Sequence, residues 1–334
     1  MKNSIEVAVV TGAAGHVGAN LVRYLASQKL QVRACVFRDR RALTGLENNN
    51  FVTIVQADVT EFETLKTAFE NADTVFHCAG FIAIADRQYS LMKKINVHGT
   101  ANVVEAAKAT GVKRVIHFSS IHALQDTRHG EPVTEQQPLV EDDRGMKYDF
   151  TKAEGERIVL SAVEKKLDAV IVNPTGIIGP HDYKPSFLGQ FILAVMNKKI
   201  PMLVKGGFNW VDVRDVCCGA LQAALYGKTG ERYILGNRYE SVHDLAVKIA
   251  SVAGVSPPQC SVPHWLAHIG VPFFRISAKV KGASPLFTHQ SLRTLLHHKN
   301  ISYKKAGDEL HWKPGNLDET IRDTVVWFQN NGFV

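Results

Sequence analysis

The sequence predicts a doubly wound α/β fold, in which helices cover both faces of a parallel sheet and a smaller C-terminal lobe follows. Three observations support this prediction. Short apolar runs alternate with amphipathic segments through the first half of the chain, a glycine-rich turn follows the first run, and the alternation stops after Pro174. Apolar strands separated by helices pair in parallel with both faces buried, and right-handed crossovers then wind the sheet in both directions.

Each element of the first half follows from its own pattern. Apolar runs bounded by turn formers predict strands at residues 5–10, 32–37, 52–56, 74–78, 115–118 and 169–172. Helical spacing of apolar residues predicts helices at residues 15–27, 61–70, 96–109 and 148–165. The first helix places Val17, Leu21, Val22 and Leu25 on one face. These elements together predict a first domain at residues 1–172.

The second half of the chain is less regular. Helices are predicted at residues 187–197, 211–225, 241–252 and 318–330, with one short strand at 232–235. Asp212 opens the second of these helices, and Ser241 caps the third. Residues 257–300 are poorly periodic and are assigned to a smaller lobe. The prediction is therefore a lobe at residues 173–334, from which residues 208–235 return to the large sheet.

Composition narrows the function classes. The chain of 334 residues is 45% apolar and 21% charged, as expected of a globular protein, and no run of about 18 apolar residues predicts a transmembrane segment. The net charge of +7 comes without a basic run interleaved with aromatics, which argues against nucleic-acid binding. The cysteines are odd in number and scattered, which favours a reducing, cytoplasmic location. His264 and His268 lack further ligands nearby, so no metal site is predicted.

The turn after the first strand carries three glycines at a regular spacing. Such glycines allow a tight bend and a close approach of backbone to a pyrophosphate, which also meets free N–H groups at the helix N-terminus. The candidate binding residues of this turn are Gly12, Ala14, Gly15, His16, Val17 and Gly18. A helix start that needs glycine only for packing is the alternative. The strand–turn–helix context favours a dinucleotide site and makes residues 1–172 a dinucleotide-binding domain.

The end of the second strand bears on the choice between NAD and NADP. An acidic residue there often binds the ribose 2′-hydroxyl of NAD, whereas an arginine can make bidentate contacts with the 2′-phosphate of NADP. The first charged residue after the strand is Arg38, followed by Asp39 and two more arginines. NADP is therefore favoured, while Asp39 keeps NAD possible.

Tyr148 and Lys152 stand four residues apart on one face of the predicted helix at 148–165. The lysine charge is expected to lower the pKa of the phenol and favour the phenolate, while in the reductive direction the same phenol would donate its proton. Ser119 and Ser120 follow the fifth strand, at the sheet edge where such folds bind ligands. A plain helix-surface pair is the alternative for the tyrosine and lysine. The nearby serines favour hydride-transfer chemistry instead.

With these motifs the chain resembles the extended short-chain dehydrogenases/reductases of the NAD-dependent epimerase/dehydratase superfamily, which have a Rossmann domain. The matching segments run nearly end to end, at residues 11–18, 58–59, 78–80, 96–100, 118–120, 148–152, 173–174 and 211–215. Residues 77–84 and the Ser-Ser-Ile-His run at 119–122 are most similar to the dihydroflavonol-4-reductase and 3β-hydroxysteroid dehydrogenase branch.

The resemblance implies a role for each matching residue. It makes Tyr148 the acid/base, Lys152 its activator and ribose ligand, and Ser120 the residue that orients the carbonyl. It places the glycine-rich turn at the pyrophosphate. The remaining implied cofactor contacts are Asp58 and Val59 at the adenine, Ala79 and Gly80 along the cofactor, Asn96 on the helix behind the site, and Pro174 near the nicotinamide. The resemblance also implies a homodimer.

Three functions fit these features. The first is an NADP(H)-dependent oxidoreductase that reduces a ketone or aldehyde, or oxidises a secondary alcohol, through a Ser-Tyr-Lys mechanism. The second is a nucleotide-sugar epimerase of the same fold with tightly held NAD. The third, a non-catalytic dinucleotide sensor, is disfavoured because the tyrosine and lysine are intact. The candidate substrate-pocket residues are His122, Met146, Tyr183, Phe187, Phe208, Trp265, Phe273 and Phe274, although aromatic residues of the lobe can equally be core.

Overall fold

The computed structural model describes residues 5–83, 86–127, 130–200, 202–263, 292 and 294–334. Within these residues, seven parallel strands form the large sheet, in the order β10-β6-β5-β4-β1-β2-β3. Its strands are β1 (Val7–Thr11), β2 (Gln31–Val36), β3 (Val52–Gln56), β4 (Thr74–His77), β5 (Arg114–Phe118), β6 (Ala169–Pro174) and β10 (Arg232–Leu235). The predicted doubly wound fold is confirmed.

Helices cover both faces of this sheet. The helices of the described residues, of which α6, α8 and α10 belong to the lobe, are α1 (His16–Ser27), α2 (Phe62–Phe69), α3 (Tyr89–Lys93), α4 (Gly99–Thr110), α5 (Lys147–Glu164), α6 (Phe187–Met196), α7 (Val213–Tyr226), α8 (Val242–Ala253), α9 (Lys304–Leu310) and α10 (Leu317–Asn330). One core cluster packs α1 and α7 against one face, and another packs α2, α4 and α5 against the other. Every residue of β5 and β6 is buried, because both faces of these central strands are covered.

The strand order reverses between β1 and β4. These neighbouring strands pair in register up to their carboxyl ends, where Thr11 lies opposite His77. Chains that leave two adjacent strands in opposite directions open a crevice at this point, and ligands of open α/β sheets bind there. The glycine-rich turn and the residues after β4 and β5 therefore share one edge of the sheet.

The lobe contains short strands that the sequence did not predict. They are β7 (Gly176–Ile178), β8 (Met202–Val204), β9 (Gly207–Asp212), β11 (Arg238–Ser241) and β12 (Cys260–Val262). β9 lies between β7 and β11, and β8 pairs with β12. A separate core cluster packs α6, α8 and α10 on these strands. Most of the poorly periodic segment at 257–300 lies outside the described residues.

Two predicted helix starts need correction. The helix predicted at 211–225 begins at Val213, because Val211 and Asp212 end β9; Asp212 still caps it by accepting a hydrogen bond from the Arg214 N–H, 2.7 Å away. The helix predicted at 96–109 begins as a π-helical turn, Lys94–His98, before α4 continues it. In the described parts of the chain no helix combines the length and apolarity needed to cross a membrane.

Side chains of α1 connect the glycine-rich turn to the lobe. The Nε2 of His16 lies 3.1 Å from the carbonyl oxygens of both Gly179 and Pro180, and since both groups only accept, this nitrogen carries the hydrogen. The side-chain amide of Asn20 donates to the Pro180 carbonyl as well, at 3.0 Å. The first turn of α1 and the start of the lobe are thus held together by three hydrogen bonds.

Candidate active site

The glycine-rich turn requires glycine at two positions. Gly12 has a φ of +66°, and a Cβ there would lie 2.6 Å from the Cα of Ala79. A Cβ on Gly18 would lie 2.2 Å from the carbonyl oxygen of Gly12. Neither position can carry a side chain without a backbone shift, because the contacts are with main-chain atoms. The turn therefore packs as tightly as a pyrophosphate-binding turn must.

The N-terminus of α1 is free to receive an anion. Gly15 is its N-cap residue, and no side chain caps the first turn or places an acidic group in it. The exposed N–H groups and the helix dipole of such a terminus favour a phosphate. Of the other predicted contacts in this turn, Ala14 and Val17 pack against the core, and His16 bridges to the lobe.

Past the end of β2, the guanidinium of Arg38 stacks on the exposed ring of Phe37, with 4.7 Å between its Cζ and the ring centre. Asp39 is held by Arg41 in an exposed ion pair of 2.6 Å, and this hydrogen bonding lowers the pKa of Asp39 to about 2. Asp39 thus already has a cationic partner, while the Arg38 guanidinium lies over an aromatic ring at the sheet edge.

Two further predicted contacts follow β3 at the same edge. The carboxylate of Asp58 accepts hydrogen bonds from the N–H and hydroxyl of Thr60. The side chain of Val59 fits against Gly99 at the start of α4, where a Cβ would lie 2.9 Å from it. These contacts hold the loop after β3 against the start of α4.

Ala79 and Gly80 follow β4 and are positioned by a buried histidine. The ring of His77 bridges Thr11 and Thr100, with its nitrogens 2.8 and 3.0 Å from their hydroxyl oxygens. Burial, and secondarily the charge of Lys152, lowers the pKa of His77 to about 3, so the ring stays neutral in this bridge. The Ala79 N–H in turn donates to the Thr11 hydroxyl.

The structure gives Asn96 a scaffolding contact. Its amide donates to the Phe81 carbonyl and the Thr151 hydroxyl, and its oxygen accepts from the Phe81 N–H at 2.7 Å. Both ends of the amide are therefore used within the protein, tying the loop after β4 to α5. A contact between Asn96 and the cofactor stays a prediction.

The structure brings Ser120, Tyr148 and Lys152 together. Ser120 follows β5 and begins a 3₁₀ turn, and its hydroxyl accepts a hydrogen bond from the His122 N–H at 3.2 Å. Tyr148 lies in the first turn of α5, near enough to Ser120 for hydrogen bonding between their side chains to act on the pKa of the phenol. Lys152, one turn further along, points back to the end of β5 and donates to the Phe118 carbonyl at 2.5 Å.

The effect of the lysine on the tyrosine differs from the prediction. Burial raises the pKa of Tyr148 to about 12, and the hydrogen bond with Ser120 opposes this only in part. Burial also lowers the pKa of Lys152 to about 8, against the opposing charge of Glu156. The lowering of the phenol pKa expected from Lys152 is therefore not what the structure shows: burial raises this pKa instead, and Tyr148 keeps its proton at neutral pH.

A buried ion pair supports the site from beneath. Glu156 is fully buried and pairs with Arg232 of β10, while its other oxygen accepts from the Asn173 amide at 3.0 Å. The same Asn173 amide donates to the Ser120 carbonyl at 3.1 Å. α5, β6 and β10 are thus linked directly under the serine. The sequence signal for Glu156 was its place one helical turn after Lys152.

Asp149 was not among the predicted site residues. It follows Tyr148 directly, and its Oδ1 lies 3.6 Å from the Nδ1 of His122. An acidic residue in the first turn of a helix is ordinarily explained by its favourable interaction with the helix dipole. The only sequence signal for a role of Asp149 in the site was therefore its position next to Tyr148. The structure therefore adds a carboxyl group and an imidazole to the surroundings of the tyrosine.

The other predicted pocket residues fall into three groups. Tyr183 packs edge-on against Trp327 of α10, and Phe208 packs against Trp210, so both belong to the packing of the lobe. Met146 is the N-cap residue of α5, and Phe187 is the first residue of α6. Trp265, Phe273 and Phe274 lie outside the described residues. Among the residues that the structure describes, no group of three or more potential metal ligands comes together.

Comparisons with known proteins agree with this geometry. The NAD dependent epimerase/dehydratase family matches residues 8–236. A Synechocystis sp. protein, provisionally named dihydroflavonol 4-reductase, is 33% identical over 333 residues, covering 97% of this chain and 95% of that protein. Sterol demethylase protein B of Methylococcus capsulatus is 30% identical over 331 residues, covering 98% and 99%. The crystal structure of gox2253 has a TM-score of 0.85 at 32% identity, covering 98% of this chain and 99% of that one.

Proposed function

The chain belongs to the NAD dependent epimerase/dehydratase family and is an enzyme of the extended short-chain dehydrogenase/reductase type, and from this premise we propose that it reduces a ketone or aldehyde with NADPH. The observation that carries the proposal is the protonated, half-buried phenol of Tyr148 beside the Ser120 hydroxyl. A group that keeps its proton at neutral pH is suited to donate it to a developing alkoxide.

The residues at the crevice between the ends of β1 and β4 fit a dinucleotide. The turn at Gly12 and Gly18 is too tight for any side chain, and the N-terminus of α1 is uncapped, so the pyrophosphate would lie against it. Arg38 would hold the 2′-phosphate of NADP, while Asp39, already paired with Arg41, would compete less for a ribose hydroxyl. The bound cofactor supplies a hydride to the carbonyl carbon.

The protein's own residues handle the oxygen of the substrate. The Ser120 hydroxyl, placed by the His122 N–H, would donate to the carbonyl oxygen and hold it beside Tyr148. Tyr148 would then transfer its phenolic proton to that oxygen as negative charge develops there. The ammonium of Lys152, fixed by the Phe118 carbonyl, would stabilise the phenolate that remains.

The proposal is tested with a panel of ketones and aldehydes, offered with NADPH or NADH and followed at the absorbance of the reduced nicotinamide. Sustained, stoichiometric oxidation of NADPH with a carbonyl compound is expected. Conversion of a nucleotide sugar without net cofactor oxidation, and no turnover of any carbonyl compound, would support the epimerase instead. The homodimer and the cytoplasmic location stay predictions, which light scattering and cell fractionation would test.

A further inference from the structure

Asp149 and His122 form an acid–base pair beside the tyrosine. The Asp149 Oδ1 is buried, lies 3.6 Å from the His122 Nδ1, and has no hydrogen-bond partner among the described residues. The two side chains keep 19% and 22% of their exposure, so water reaches both. A buried carboxyl oxygen without a hydrogen bond is costly, which marks this position as one held for a purpose other than stability.

The groups around His122 leave its ring free to carry a proton. Its ring lies edge-on to Tyr148, with 6.3 Å between ring centres, and edge-on to His298, with 5.3 Å. The Nε2 of His298 is committed to the Leu124 carbonyl at 3.1 Å. Asp126 accepts from His297 at 3.1 Å and from the His298 N–H. Asp126 is thus already engaged in hydrogen bonds with His297 and His298. Asp149 is the carboxyl that approaches His122 from α5.

We propose that Asp149 and His122 return to Tyr148 the proton that it loses in each reductive turnover. This inference rests on the proposed function, because carbonyl reduction consumes one proton per turnover and the oxidised product cannot supply it. Asp149 acts through His122, and both are positioning residues for the catalytic phenol.

Each group that gives up a proton in this relay receives another from the next group. Tyr148 forms an O–H bond to the substrate oxygen and is left as phenolate. The Asp149 carboxyl gives its proton to the His122 Nδ1, and the His122 Nε2 gives its own proton toward the phenolate, through the Ser120 hydroxyl or one water. Asp149 then takes a proton from solvent. The imidazole ends in its other neutral tautomer, with the hydrogen on Nδ1. Before the next cycle the ring must therefore flip or exchange its proton with solvent, so that Nε2 carries a hydrogen again.

The pKa values of the pair agree with this division of roles. Burial raises the pKa of Asp149 to about 7, with a smaller opposing effect of His297. Burial lowers the pKa of His122 to about 4, and the charge of His297 acts in the same direction against Asp126. Near pH 7 the Asp149 carboxyl is therefore protonated in about half of the molecules, and the His122 imidazole is neutral.

The kinetic test compares Asp149→Asn and His122→Ala with the wild type, as kcat and KM for carbonyl reduction across pH 5.5–9. We expect kcat to fall about tenfold in each variant with little change in KM. The wild-type decline above about pH 7 should be absent in Asp149→Asn, since that residue no longer titrates. Added imidazole should restore kcat of His122→Ala. Asp308→Asn and His243→Ala, which change exposed side chains elsewhere, should keep wild-type kinetics.

Failure of the relay and failure of the proposed function would give different results. Wild-type kcat and pH profile in both variants, or a change in KM alone, would overturn the relay. If the wild type reduces no carbonyl compound, the proposed function fails and the relay fails with it. If the wild type is active, infrared titration of the cofactor-bound protein tests the relay independently of the kinetics. A protonated-carboxyl band that persists to near pH 7 and is lost in Asp149→Asn supports it, whereas titration of Asp149 near its ordinary value of about 3.9 overturns it.

Discussion

The ammonium of Lys152 lies 2.5 Å from the backbone carbonyl oxygen of Phe118, so a lysine of α5 is held by the end of β5. The side chain is buried, and its burial lowers its pKa to about 8. This charge is placed for function at a cost in stability, because a buried ammonium without a carboxylate in direct contact loses more hydration than one carbonyl restores.

Replacing Lys152 by methionine should therefore stabilise the cofactor-free protein while abolishing turnover. The pKa of the lysine is lower in the folded state, so the unfolded state binds more protons between about pH 8 and 10.5, and wild-type stability rises with pH across that window. We expect Lys152→Met to gain roughly 1–3 kcal/mol in free energy of unfolding at pH 7, and less at pH 9.5. Urea unfolding at the two pH values measures it; a loss of stability at pH 7 would contradict the assignment.

Removing the phenolic hydroxyl should separate binding from chemistry. Tyr148→Phe is expected to bind NADPH like the wild type and to lower kcat by about 10²–10⁴-fold, the range for loss of a positioned proton donor. Fluorescence titration measures NADPH binding, and steady-state assays measure turnover. Tyr239→Phe, at an exposed position, is the matched control. Turnover within a few-fold of wild type in Tyr148→Phe would remove the tyrosine as proton donor.

The cofactor preference should depend on Arg38. Arg38→Ser is expected to raise KM for NADPH by about 10- to 100-fold, the value of one or two charge-assisted hydrogen bonds, and to leave KM for NADH nearly unchanged. Arg322→Ser removes an exposed arginine of α10 and should alter neither constant. An equal rise in KM for NADPH and NADH would mean that Arg38 contacts a part of the cofactor that NAD and NADP have in common.

Two glycines with similar backbone geometry should respond differently to alanine. Gly12 and Gly111 have φ values of +66° and +70°, but a Cβ on Gly12 would meet the Ala79 backbone, and one on Gly111 would meet nothing within 4 Å. Gly111→Ala should cost about 1 kcal/mol in stability with normal NADPH binding. Gly12→Ala should weaken NADPH binding by more than tenfold, because the turn must move. Calorimetric titration compares the two; equal affinities would show that the turn tolerates a side chain.

The buried ion pair should matter far more than a half-buried one on the same helix. Glu156→Gln leaves the Arg232 guanidinium without its carboxylate in a buried setting, and we expect a loss of about 3 kcal/mol in free energy of unfolding. Glu154→Gln, which breaks the half-buried pair with Arg157, should cost less than about 1 kcal/mol. Chemical denaturation of both variants tests this, and similar losses would contradict a structural role for Glu156.

The strands of the large sheet are predictable from sequence because their residues are buried on both faces. β6 begins with four apolar residues at 169–172, and β5 contributes Val115, Ile116 and Phe118, which together with the turn formers nearby is a strong local signal. The strands of the lobe, such as β7 and β8, have only three residues each and depend on pairing with distant segments. No local pattern distinguishes them from the turns in which they lie.

The candidate site shows the same division. The approach of Ser120, Tyr148 and Lys152 follows from strand ends and helical spacing, both of which are local properties. The direction of the Tyr148 pKa depends on how much water the assembled fold removes, and the pairing of Asp149 with His122 depends on where the loop after β5 lies. Both are tertiary properties that spacing alone does not encode.

Because β10 comes from the second half of the chain and completes the large sheet, it determines whether the two halves can exist as separate fragments. Since β6 is ladder-paired with β10, from Ile171 opposite Arg232 to Pro174 opposite Leu235, a fragment that stops at residue 172 would present an apolar strand with an open edge. Such a fragment would invite aggregation. Conversely, a protease that nicks the intact protein between β6 and β10 would release no free half, because the two pieces would remain joined along the sheet.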